Sequence, residues 1–63
     1  MYTVNIEGHY ADEIMDATGL VAYQANGVTA IETKEDTKQK AGRKAIQIIE
    51  SLGINSRVLY VFA

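Results

Sequence analysis

The chain has 63 residues, 48% of them apolar, with eight acids against six Lys or Arg and a net charge of −2. It contains no Cys, which excludes disulfides, thiolate metal sites and cysteine nucleophiles, and the acidic balance disfavours general nucleic-acid binding. A chain of this size buries only about 60% of the surface its unfolded form exposes. A single domain over residues 1–63 is therefore expected, held by regular packing or by self-association.

Tyr2, Val4 and Ile6 alternate with Thr3, Asn5 and Glu7, the period of two that marks a half-buried strand. The N-terminus lacks the basic stretch and apolar core of a signal peptide, and no apolar run approaches the roughly 20 residues that span a bilayer. Residues 11–18 suit a short helix or an irregular loop: Asp12 and Glu13 lie at its favoured N-terminal end, and Gly19 is placed to stop it.

Leu20 to Thr33 reads as a hairpin around Asn26-Gly27, the pair that best accepts the positive φ angles of a type I′ turn. A two-residue turn puts Val21, Tyr23, Ala25, Val28, Ala30 and Glu32 on one side. That side is the more continuously apolar near the turn, so it is expected to meet the helices. Ile31, Leu20 and Ala22 are then left on the bare face.

Thr33 to Asp36 has the form of a capping box, with Thr37 as the alternative N-cap. The long helix that follows carries a core stripe of Ala41, Ala45, Ile48, Ile49 and Leu52, and Gly53 and Ile54 have the character of a left-handed C-cap with its apolar contact. Gly42 within it costs about 1 kcal/mol relative to Ala; it either lets the helix approach the sheet or occupies a tolerant surface site. The last strand, residues 56–62, is apolar on both faces, with Val58, Tyr60 and Phe62 on one and Leu59 and Val61 on the other. Tyr23 and Tyr60 are expected in the sheet core. A strand apolar on both sides is central or lies at an interface. The expected fold is α+β in the order β-(short α)-β-β-α-β: three or four antiparallel strands packed on one long helix in the split βαβ, ferredoxin-like arrangement.

Seven of the eight acids fall in residues 1–36 and five of the six cations in residues 37–63, a split that favours pairing between opposite charges. His9, Asp12 and Asp16 form the one cluster of metal-type ligands. They lack EF-hand spacing and paired histidines, so they read as acids at a helix start, with no metal and no cofactor implied. No nucleophile elbow or phosphate loop is present, and a catalytic role is not expected. Lys38, Lys40, Arg43 and Lys44 crowd the first half of the long helix, opposed to its dipole. Residues 37–49 resemble the lysine-rich helix of double-stranded-RNA-binding domains, although a strand follows here and that family's earlier binding elements are missing. The succession of strands and an Ala-rich helix over residues 27–46 is similar to HicB-type antitoxin domains, without their proline–glycine region.

The expectation is a cytoplasmic, non-enzymatic protein-binding, adaptor or inhibitor module that self-associates as a dimer through its sheet. Its size suits the small products of phages and mobile elements. Its interface residues would be Ile31, Leu59, Val61 and Tyr10. The alternative is a nucleic-acid-binding domain using Lys38, Lys40, Arg43 and Lys44.

Overall fold

The computed structural model describes residues 1–63. The strands are β1 (Thr3–Glu7), β2 (Ala22–Ala25), β3 (Val28–Glu32) and β4 (Val58–Phe62), and the helices are α1 (Ala11–Thr18) and α2 (Lys38–Leu52). They form one four-stranded sheet in the order β2-β3-β1-β4, with every neighbouring pair antiparallel. This is the split βαβ order that the sequence predicts. α1 lies on the β2–β3 side and α2 on the β1–β4 side.

Local chemistry sets most boundaries. Asn26 and Gly27 have φ of 54° and 78°, the two positive angles that the I′ turn demands. α1 stops at Gly19, whose φ is 73° and whose N–H donates to the Met15 carbonyl. α2 starts at Thr37, where the Thr37 hydroxyl accepts from the Lys40 N–H at 3.1 Å, and so the N-cap is Thr37 rather than Thr33. The Thr33 hydroxyl is buried and donates instead to the Tyr2 carbonyl. α2 ends in a Schellman pattern, with Ile54 N–H to Ile49 O and Gly53 N–H to Glu50 O. Ala41, Ala45, Ile48 and Ile49 face the core, whereas Leu52 at the last turn is exposed.

The two faces of the sheet are the reverse of the expectation. Val4, Ile6, Ile31 and Ala22 are buried beneath the helices, and Val4 pairs across the strands with Ile31 and Val61. The open face carries Tyr23, Ala25, Val28 and Ala30 from the hairpin, the side assigned to the helices from sequence. The start of α1 is matched to this orientation. Its N-cap, Tyr10, supplies no side-chain cap, so the orphan donors of the first turn take acceptors from the sheet. Tyr10 N–H donates to Thr29 Oγ1 at 2.8 Å and Ala11 N–H to Gln24 Oε1 at 3.1 Å. Thr29 and Gln24 must therefore point toward the helices, and Ile31 and Ala22 follow on the same side.

A register shift between Asn5 and Ile6 completes the reversal in β4: Ile6 pairs with Val58 while Asn5 pairs with Tyr60. Leu59 is the extra residue of this bulge. Val58 and Val61 thus both lie against the core, and Tyr60 and Phe62 turn outward.

Candidate open sheet face

Three cross-strand pairs line up Tyr23, Ala30, Asn5 and Tyr60 in a row from β2 to β4. Large rings stand on the two edge strands and small side chains lie on the two central ones. Strands spaced about 4.8 Å apart put the walls roughly 14 Å from one another, Cα to Cα. The result is a channel along the strands, containing a depression of about 320 Å³ lined by Asn5, Ala25, Val28, Ala30 and the Tyr23 and Phe62 rings, with Asn26 at its end. Tyr23 is 53% exposed, Tyr60 64% and Phe62 39%. Tyr60 and Phe62 meet edge to face with centroids 6.1 Å apart, an arrangement that holds both rings in place. Neither Tyr23 nor Tyr60 belongs to the core, contrary to expectation.

Two further features mark the channel. Asn5 Oδ1 is buried without a hydrogen-bond partner, and buried acceptors left unpaired are rare and costly. The charged side chains of the face are Glu32, opposite Thr3, and Glu7, opposite Val28, so an acid stands at each end of the floor. Glu7 meets exposed Arg57 at 3.4 Å, an ion pair of little strength in water.

The interface residues expected from sequence divide. Ile31 is fully buried and forms no part of the surface of the folded chain. Val61 is partly buried against the core cluster, beside Gly42 of α2. Leu59 stays on the surface, 38% exposed. Tyr10 is half-buried, and a Cβ on Gly8 would lie 2.5 Å from its ring, so this ring serves the β1–α1 connection. The channel residues that sequence reasoning placed inward, Tyr23, Tyr60 and Phe62, are the ones presented to solvent. One signal for them was available: Thr29 and Gln24 are the polar residues of the hairpin's opposite side, and a helix start without its own capping side chain needs acceptors.

Elsewhere the candidates are dispersed. His9 Nε2 accepts from Gly27 N–H at 3.0 Å, while Gly8 N–H donates to the Gly27 carbonyl at 2.7 Å. His9 therefore pins the hairpin turn to the end of β1, and no group of three His or carboxylate side chains converges with it or elsewhere. Lys38, Lys40 and Arg43 are exposed on α2 and Lys44 is half-buried. Lys40 pairs with Asp36 at 3.4 Å; the other three are in no ion pair. No helix is long and apolar enough to cross a membrane. No protein-family model matches the chain, and comparison with curated proteins and with solved structures likewise finds no match.

Proposed function

We propose that the protein is a non-enzymatic binding module, working in the cytoplasm, that engages a protein partner through the open face of its sheet. The observation that carries this reading is the aromatic-walled channel: Tyr23, Tyr60 and Phe62 exposed over a floor of small side chains. Aromatic residues are enriched at protein interfaces, and Tyr is among the residue types that recur at their energetic hot spots. A second copy of the chain is one such partner. Both helices lie on the other face, and none of the elements in residues 1–63 covers the channel.

The test compares folded variants. Tyr60→Glu places a charge on one wall, and Lys38→Ala with Lys44→Ala removes two cations from the helix. Binding through the sheet predicts that Tyr60→Glu loses the proteins cross-linked to the wild type in a lysate of its source cells, and that the lysine variant keeps them. Light scattering behind a sizing column reads self-association in the same proteins. Unchanged cross-linking by Tyr60→Glu, with its fold intact by circular dichroism, would sink the reading.

A second reading rests on α2. Its first turn holds no acid, and Lys38, Arg43 and Lys44 are unpaired, which suits contact with phosphates. It predicts oligonucleotide affinity that falls steeply with salt and disappears in the lysine variant.

A further inference from the structure

The channel has a definite chemical preference, and the inference drawn from it rests on the sheet-face reading above. Its neutral polar groups, the Asn5 and Asn26 amides and the tyrosine hydroxyls, can both donate and accept, and its ionised groups are carboxylates apart from Arg57 at one end. Glu32 and Glu7 stand at either end of the floor, and Asn5 Oδ1 lies unpartnered between them. The nearest cation, Arg57, already leans on Glu7. Such a face repels phosphate and carboxylate and attracts cations. Its walls are aromatic rings, on whose faces a guanidinium stacks well. An apolar segment without charge would bury the rings yet leave the Asn5 oxygen unpaired, and a nucleic acid would set phosphates against Glu32, the acid of this face that no cation pairs. An arginine among apolar residues meets every demand: its planar fork donates to the amide oxygen and to a carboxylate while its plane lies on a ring.

We propose that the open channel takes a protein segment in which arginine alternates with apolar residues, the guanidinium seated between Tyr60 and Asn5 and steered by Glu32. Asn χ2 is a soft torsion, so the amide turns its oxygen from the floor toward the incoming donor. In the free protein that oxygen is a small destabilising element kept at a binding surface, as unpaired groups at functional sites commonly are.

The test uses the full chain, labelled with ¹⁵N, and three probes: an alternating arginine–leucine peptide, its glutamate–leucine counterpart and an oligothymidine. The arginine peptide is expected to shift the amides of Asn5, Ala30 and Tyr60 together with the Asn5 side-chain amide. Glu32→Gln weakens that binding about two- to fivefold, the range of a partly exposed ion pair. Asn5→Leu weakens it about tenfold, as loss of a hydrogen bond to a charged group does, while its own unfolding midpoint rises. That opposite movement of affinity and stability separates a binding role for Asn5 from a structural one. Equal response to the glutamate peptide would overturn the charge preference while leaving the face as a binding surface. Shifts confined to α2, or to the oligothymidine, would overturn the proposal in favour of the basic helix. A doubling of solution mass that blocks the peptide response would assign the face to a second copy and also overturn it. Absence of any response at the face, together with undiminished cross-linking by Tyr60→Glu, would remove the sheet-face reading as well.

Discussion

At Thr29 a hydroxyl sits fully buried in the sheet with both of its hydrogen-bonding functions in use. It donates to the Gly8 carbonyl at 2.6 Å and accepts from Tyr10 N–H at 2.8 Å, so one side chain joins β3 to the β1–α1 connection. Valine at this site is close in shape but strands a carbonyl and an amide away from their partner, and each buried polar group left unpaired costs about 1–3 kcal/mol. Thr29→Val is therefore expected to lower the unfolding free energy by about 2 kcal/mol or more, read from urea denaturation at unchanged m-value. A loss below about 0.5 kcal/mol would mean that water replaces the hydroxyl and that Thr29 does not govern the orientation of the sheet. From sequence, Thr29 is an ordinary strand residue. Its weight comes from Gly8 and Tyr10, about twenty positions away, and only the fold brings them to it.

At the level of elements, both helices end on glycines in the left-handed region, Gly19 and Gly53, and both ends are legible because a positive φ is a property of one residue. Their starts differ. α2 carries its own cap in Thr37, whereas α1 borrows Thr29 and Gln24 from the sheet, which is why a loop competes with the short helix for residues 11–18 in isolation. Gly42 resolves similarly. A Cβ there would stand 3.8 Å from Val61 Cγ2, an ordinary van der Waals contact, so close approach of α2 to β4 does not require glycine. Gly42→Ala is expected to stabilise the protein by about 1 kcal/mol through helix propensity and the lower entropy of the unfolded chain. In a domain of this size that raises the melting temperature by about 4–8 °C, measurable by calorimetry. A fall in melting temperature would show that α2 sits closer to β4 than this contact implies. The bulge in β4 lay outside sequence reasoning: alternation across Val58 to Phe62 put Val61 on the bare face, and the extra residue Leu59 moves it inward.

Across the molecule, the sheet separates a covered face from an open one, and only 14 of 63 residues are buried. The large apolar side chains that are fully buried are Val4, Ile6 and Ile31 of the central strands β1 and β3 and Ile14 of α1 above them. Stability should follow the same map. Amides of β1 and β3 that bond within the sheet are expected to exchange only on global unfolding, while those of edge strand β2, short and exposed over three of its four residues, open at lower free energy. Hydrogen exchange followed by NMR checks this, and equal protection of β2 and β1 would mean that the hairpin and the core open as one unit. Exposure of the aromatic walls has its origin at this scale as well: both helices cover one face of the four strands, and no element of residues 1–63 lies across the other.

The sequence by itself determined the order of the strands and the long helix, the I′ turn at Asn26-Gly27, the glycine stops at Gly19 and Gly53 and the α+β class. Each of these depends on residues adjacent in the chain, through positive φ, alternation or helical spacing. Which face of the sheet is buried was decided only by the tertiary structure. Two apolar faces competed in the hairpin, and hydrophobicity near the turn favoured the wrong one. The face that is buried joins Ile31 and Ala22 to Val4 and Ile6 in one core and supplies Thr29 and Gln24 as acceptors for the first turn of α1. The bulge opposite Asn5 and Ile6 then set Val61 against the core and turned Tyr60 and Phe62 to solvent. Pairing between β1 and β4 joins residues more than fifty positions apart, and no local pattern encodes where such a ladder slips by one.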